Sequence, residues 1–352
     1  MNARKVYIFA AALLLAFFAA EAGHAQRVKV TIITDEADLV LKALDKLSSG
    51  KALSESDIKP IYESEGYRRL KAREHSLGRK FEDTDFRIFL ENNQLAARRE
   101  RLRKTLADWK RTDVEAIGRS VLEYLPASAE ITAKIYPVIK PATNSFVFDL
   151  HNDPAIFLYL DENISREKFA NTLAHELHHI GFGTACPTGD EEAASEKLSE
   201  GEREVLRWTG AFGEGFAMLA AAGGPGVHPH EVSSDEERAR WDHDVANFGT
   251  DLLKVQSFFS DLLAGKLSEE EEINNARSFY GIQGPWYTVG WKMAVVIEEE
   301  LGRPALIDCF CDGRKLLPSY NRAADSREKR TGEKLARWDP NVFIGKGRQR
   351  GG

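Results

Sequence analysis

The spacing of apolar residues divides the chain into a helical part, a short β-rich part and a second helical part. From Thr34 to Leu125, apolar residues recur every three or four positions among many charged ones, as in DFRIFLENNQLAARRERLRKTLADW. This spacing predicts amphipathic helices. We interpret the Arg and Lys residues among them as a solvated helix face, and a surface for a partner is the alternative.

Three short runs after Pro126 have the composition of β-strands. AEITAKIYPVI, NSFVFDL and AIFLYL are rich in β-branched and aromatic residues, and the turn-forming segments KPATN and HNDP separate them. The apolar spacing then becomes helical again, from DEEAASEKLSEGEREVLRWTG to YTVGWKMAVVIEEELG. Helices, a small sheet and further helices predict an α+β fold in which helix predominates.

The helix expected directly after this sheet carries the candidate chemistry. Ser165 is its predicted N-cap and Gly181 its predicted end. Within it, the segment TLAHELHHIGFG places three histidines and one glutamate between positions 175 and 179. One face of the helix is apolar and predicted to be buried, through Phe169, Leu173, Leu177 and Ile180.

Helix geometry selects two of these histidines as a metal-binding pair. With about 100° of rotation per residue, His179 lies about 40° from His175, and Glu176 lies about 60° from His179 but about 160° from His178. Only the pair His175 and His179 therefore leaves Glu176 beside the ion, which is the H-E-x-x-H arrangement. We predict two zinc ligands, a general base in Glu176 and a structural role for His178. A polar patch on an ordinary helix is the alternative.

A catalytic zinc site usually has a third protein ligand and a water molecule. The metzincin solution, a histidine six residues after the second, does not apply because Ala185 stands there. Our candidate is Glu214 in AFGEGFAMLAAAGG, since the small residues around it allow close approach of a neighbouring helix. Its alternative role is that of a first-turn or capping acid. Four acids in a polar stretch are rival ligands: Glu191, Glu192, Glu202 and Glu204.

Together these motifs resemble known zinc peptidases. H-E-x-x-H followed by a glutamate in EGFA is similar to the gluzincins, in which an E-G-x-A-type helix supplies the third ligand. The chain resembles more closely a bacterial family of uncharacterised zinc-dependent peptidases, through YESEGYRRLKARE, AHELHHIGF, GEGFAMLAAAGGPGVHPH and WYTVGWKMAVVIEEELGR. The resemblance implies a zincin-like domain, one Zn²⁺ ion on His175, His179 and Glu214, and peptide hydrolysis with Glu176 as the base.

The N-terminus predicts export. Residues 1–25 combine a cationic start, the apolar run VYIFAAALLLAFFAA and small residues ahead of Gln26, as in a secretory signal peptide. A membrane anchor is the alternative, but the run is shorter than the roughly 20 residues that cross a bilayer. We predict a periplasmic or secreted protein without stable membrane insertion after signal removal. A charged helical region (26–125), a zincin-like metallopeptidase domain (126–343) and a disordered tail (344–352) follow.

Charge and cysteine content add two further expectations. The net charge of −7 is made of mixed charges, which argues against nucleic acid as a partner. Cys186 is predicted to form a disulfide with Cys309 or Cys311 and to leave one thiol, and three buried thiols are the alternative. The sequence indicates no oligomeric state.

Two further features bear on catalysis. Tyr287 is the first candidate for a donor to the oxyanion, ahead of Tyr280, His228 and His230, and a buried aromatic residue at a helix start is the alternative. AIFLYL is either a free sheet edge for a peptide substrate or an interior strand.

Three functions are compatible with these residues. The leading one is a metallopeptidase acting on peptides or proteins. The alternatives are a zinc-stabilised binding or scaffold protein without turnover, and a metal hydrolase of non-peptide amides or esters.

Overall fold

The computed structural model describes residues 27–150, 152–186 and 198–344. The predicted signal peptide and nearly all of the predicted C-terminal tail lie outside the described residues. The chain forms two compact units, Met1–Arg119 with Glu130–Ile180, and Ser120–Ala129 with Gly181–Gly352. The sheet belongs to the same unit as the N-terminal helices.

The first unit contains a four-stranded sheet in the order β1-β2-β4-β3. The strands are β1 (Val28–Ile32), β2 (Ile131–Val138), β3 (Phe146–Phe148) and β4 (Ala155–Tyr159). β1, β2 and β4 are parallel, with Val28 opposite Ile131 and Lys134 opposite Ala155, and β3 runs antiparallel to β4 at the edge.

The interior position of β4 resolves one of the open alternatives. AIFLYL pairs with β2 on one side and β3 on the other, so it is an interior strand and its use as a free edge is wrong. Its continuous apolar run fits this position, because a strand covered on both faces needs no polar alternation. The three predicted strands are all present.

β1 was not expected from the sequence. Val28 and Val30 are buried and Lys29 and Thr31 are exposed, which is the alternation of a half-buried strand. The signal is present in RVKVTI, but it covers only five residues at the start of a long helical region. β1 joins the sheet through its register with β2, and such long-range pairing is not encoded locally.

Six helices lie between β1 and β2, the kind of crossover that a parallel pair of strands requires. They are α1 (Asp35–Ser48), α2 (Glu55–Glu63), α3 (Glu65–Ser76), α4 (Asp83–Leu90), α5 (Asn93–Lys110) and α6 (Val114–Val121). α1 packs against α2, α3 and α5, and its buried stripe includes Val40, Leu41 and Leu44. This part of the chain confirms the predicted amphipathic helices.

The remaining helices of the described chain begin with α7 (Arg166–Ala185), whose residues 166–180 belong to the first unit and 181–185 to the second. Those of the second unit are α8 (Glu200–Thr209), α9 (Gly213–Ala222), α10 (Asp235–Ala246), α11 (Phe248–Leu263), α12 (Glu269–Ser278), α13 (Pro285–Leu301), α14 (Arg303–Cys311) and α15 (Gly313–Thr331). An aromatic-rich core holds the second unit together, with Phe212, Phe259, Trp286 and Trp338 at its centre.

Serine capping boxes determine where three of these helices begin. The pairs Ser199–Glu202, Ser234–Glu237 and Ser268–Glu271 each satisfy backbone N–H groups that the first helical turn leaves without partners.

The predicted α+β fold with predominant helix is confirmed. Among the described residues, no helix combines the length and apolarity that crossing a membrane requires.

Candidate metal centre

The helix α7 positions the two predicted histidine ligands. Its start is capped as expected, because Ser165 Oγ accepts a hydrogen bond from the backbone N–H of Lys168 at 3.1 Å. The predicted apolar face is buried at all four of its positions. The predicted end at Gly181 is wrong, since the helix continues to Ala185. Phe182 packs against the aromatic-rich core of the second unit, and this packing favours continued helix over a turn at the glycine.

The imidazoles of His175 and His179 face one another across one helical turn. Their Nε2 atoms lie 3.0 Å apart, and the rings are nearly perpendicular with centroids 4.6 Å apart. Two nitrogens that each lie about 2.0–2.1 Å from a tetrahedral zinc ion are about 3.3 Å apart. The pair is therefore spaced as two ligands of one ion.

The other two polar residues of the motif differ in burial. Glu176 is half-buried, as a residue beside an accessible site should be, whereas the His178 side chain is only 1% exposed. Glu176 is therefore partly exposed to solvent, whereas His178 is not.

Glu214 lies close to the histidine pair. Its position is in the first turn of α9, and one ligand atom from each of His175, His179 and Glu214 lies within 4.8 Å of the other two. All three side chains are half-buried. Two imidazoles and one carboxylate form the donor set of a catalytic zinc site with an open position. The residues present thus fit a zinc ion.

The rival acids that the structure describes have other partners. Glu202 accepts the backbone N–H of Ser199 at 2.9 Å as part of a capping box, and Glu204 pairs with Arg207 at 3.3 Å. Glu191 and Glu192 lie outside the described residues.

Two glycines determine how closely α9 approaches its neighbour α13. A Cβ atom at Gly215 would lie 2.0 Å from the backbone nitrogen of Trp291 and 2.5 Å from the carbonyl oxygen of Tyr287. A Cβ at Gly290 would lie 2.5 Å from the carbonyl oxygen of Phe212. The predicted close approach is thus carried by glycines on both helices rather than by the alanines that follow Glu214, and it fixes the start of α9 against α13.

Both candidate tyrosines lie in the second unit near Glu214. Tyr287 is half-buried in the first turn of α13, and its carbonyl faces the residue after Glu214. Tyr280 is also half-buried, beside Trp286. Burial raises the pKa of Tyr280, and the negative charge of Glu214 raises it further, which places the two side chains within electrostatic range.

The two candidate histidines downstream take part in local contacts. His228 Nε2 lies 2.9 Å from Asp242 Oδ1, and His228 Nδ1 accepts the backbone N–H of His230. The His230 ring is buried against Trp241, with Nδ1 2.9 Å from Ser233 Oγ. These contacts join the loop between α9 and α10 to α10 itself.

One disulfide joins the end of α7 to the end of α14. Cys186, directly after α7, is bonded to Cys311, the last residue of α14, whereas Cys309 is a buried free thiol. A predicted pairing is confirmed, and the alternative of three thiols is wrong. The choice between Cys309 and Cys311 depends on the rotation of α14, which spacing alone does not give.

The comparison with known protein families agrees with this donor set. The profile of a family described as "Putative zinc dependent peptidase (DUF5700)" matches residues 34–329, which is most of the chain. The chain belongs to the DUF5700 family. No curated protein and no solved structure matches it. Zinc dependence in the description of DUF5700 agrees with the approach of His175, His179 and Glu214.

Proposed function

We propose that this protein is a periplasmic or secreted zinc metallopeptidase of the gluzincin type, with one zinc ion held by His175, His179 and Glu214. The observation that carries the proposal is the convergence of these three side chains, with their ligand atoms within 4.8 Å of one another. The family description adds peptide hydrolysis as the reaction class. The disulfide supports an oxidising compartment, because such bonds persist mainly outside the cytosol.

Glu176 is the proposed general base. A zinc ion held by His175, His179 and Glu214 would supply Lewis acidity, lowering the pKa of a water molecule towards 7 and polarising the scissile carbonyl. Glu176 lies next to His175 on the side of His179, where its carboxylate takes a proton from the attacking water and returns it to the leaving amine. His178, buried on another side of α7, has no part in this transfer.

Tyr280 and Tyr287 are the two proposed donors to the developing oxyanion. Tyr287 is the candidate that the sequence favours, and the electrostatic interaction with Glu214 favours Tyr280. We propose Tyr280 ahead of Tyr287, because the negative charge of Glu214 acts on the phenol of Tyr280.

The conservative variants Tyr280→Phe and Tyr287→Phe separate these roles. Loss of a single oxyanion donor costs about 10²–10³-fold in kcat, so Tyr280→Phe should show a loss of that order and Tyr287→Phe a much smaller one. Steady-state kinetics on a fluorogenic peptide measure both. A large loss confined to Tyr287→Phe would reverse the assignment.

The role of Glu214 as a ligand is tested by Glu214→Gln with Glu200→Gln as the matched control. Glu200 is also a first-turn acid, at the start of α8, and is exposed. Replacing a ligand should lower zinc affinity at least tenfold and reduce peptide cleavage, whereas Glu200→Gln should change neither. Metal content by mass spectrometry after dialysis against a weak chelator, together with peptide cleavage, measures the effect. Full zinc occupancy in Glu214→Gln would show that Glu214 is only a first-turn acid.

A further inference from the structure

A second unusual group lies in the first unit, at Lys140. This residue follows β2 by two positions and is only 3% exposed, although lysine is among the residues least often buried. Its Nζ donates hydrogen bonds to the carbonyl oxygen of Ala142 and, at 2.9 Å, to Asn144 Oδ1. The Nζ atom also lies 5.5 Å from the centre of the Phe146 ring and 5.9 Å from that of Tyr159.

Lys140 lines a cavity of about 230 Å³, which we call the Lys140 cavity. Its apolar wall includes Leu70, Phe81, Phe86 and Pro141. Pockets for drug-sized molecules have volumes of about 300–1,000 Å³, so this cavity suits a smaller ligand with an apolar body. A buried amine beside a cavity with an apolar wall is a candidate nucleophile toward a small bound ligand.

Several charged groups act on this amine. Burial lowers the pKa of Lys140 to about 8; Glu74 and Glu36 oppose this shift and Arg73 adds to it. Glu74 is itself paired with Arg73 at 2.6 Å. Burial raises the pKa of Glu36 to about 8, so the charge with which Glu36 opposes the shift develops mainly above that pH. The other charged groups that line the cavity are Lys80, Glu82 and Asp85.

We propose that Lys140 is a nucleophilic amine that forms an imine with a small aldehyde or ketone bound in the Lys140 cavity. The nitrogen lone pair attacks the carbonyl carbon and forms a C–N bond. The carbonyl oxygen then leaves as water, taking both protons of the neutral amine, and a C=N bond remains. No oxidant or reductant is required for this step. A lysine desolvated in an apolar pocket is a known means of generating such a nucleophile.

Reductive trapping with benzaldehyde and cyanoborohydride tests the proposal on the zinc-loaded mature protein. Lys80 is an internal control, because it lines the same cavity with a side chain that is 76% exposed. With a pKa of about 8, about half of the Lys140 amines are neutral at pH 8, against about 0.4% for a lysine of ordinary pKa, a difference of about 125-fold. Peptide mapping should therefore find more adduct on Lys140 than on Lys80 at pH 7.5, and the ratio should fall at least tenfold by pH 10.5.

Two controls distinguish specific modification of Lys140 from the general reactivity of lysine side chains. Benzyl alcohol has the shape of the probe without its carbonyl, so it should slow the modification of Lys140 and leave that of Lys80 unchanged. Lys140→Arg keeps the charge and should abolish the adduct at this position alone. The proposal fails if modification follows exposure, with Lys80 ahead of Lys140 at pH 7.5, if the ratio is independent of pH, or if benzyl alcohol gives no protection. All three of these readouts use the wild-type chain, so they stand even if the variant does not fold.

Discussion

Replacement of Glu176 by glutamine is expected to reduce peptide hydrolysis by about 10²–10⁴-fold, the usual contribution of a positioned general base. Glutamine has nearly the same shape as glutamate but accepts no proton from water. Since Glu176 is not one of the three proposed ligands, the variant should bind one equivalent of zinc as the wild type does. Cleavage of a mixed peptide library, followed by mass spectrometry, measures the first quantity, and metal analysis the second.

A matched control for this experiment is present on the same helix. Glu167 lies in the first turn of α7, nine positions before Glu176, and Glu167→Gln should leave cleavage unchanged. Identical cleavage by wild type and Glu176→Gln would remove the peptidase assignment and favour a zinc-stabilised binding protein. The non-peptide hydrolase would be favoured if neither protein cuts any peptide, while the wild type hydrolyses small esters and Glu176→Gln does not.

Replacement of Cys311 by serine is expected to produce the largest loss of stability. The Cys186–Cys311 bond joins residues 125 positions apart. In the chain-entropy description, a bond that closes a loop of about 100 residues contributes about 4.7 kcal/mol, through restriction of the unfolded chain. We therefore expect Cys311→Ser to lower the free energy of unfolding by about 3–5 kcal/mol. Because Cys186 directly follows α7, the variant should also hold the end of the metal-binding helix less firmly.

Urea unfolding of the oxidised protein, with and without the substitution, measures this effect. Cys309→Ala is the matched control, since Cys309 lies on the same helix, is buried and leaves the disulfide intact. Its cost should be that of a small cavity, about 1 kcal/mol. Equal midpoints for Cys311→Ser and wild type would show that the bond contributes nothing to folding, and a larger loss in Cys309→Ala would place the stabilising interaction in the thiol.

The features that the sequence predicts well are those that depend on neighbours along the chain. The helices follow from three- and four-residue spacing, and the predicted start at Ser165 follows from a side chain that caps a nearby backbone group. The capping boxes at Ser199, Ser234 and Ser268, found in the structure, are of the same local kind. The approach of His175 and His179 is of the same kind. Two residues four positions apart on a helix are neighbours in any tertiary structure, so a local motif determines their 3.0 Å separation.

The tertiary structure decided everything that joins distant parts of the chain. It brought Glu214 to the two histidines, placed β4 inside the sheet between β2 and β3, and selected Cys311 rather than Cys309 as the partner of Cys186. It also buried Lys140 beside a cavity, for which the sequence carries no local signal. The physical reason is the same in each case. Backbone geometry sets distances over a few residues, whereas the approach of distant segments depends on the packing of the whole core.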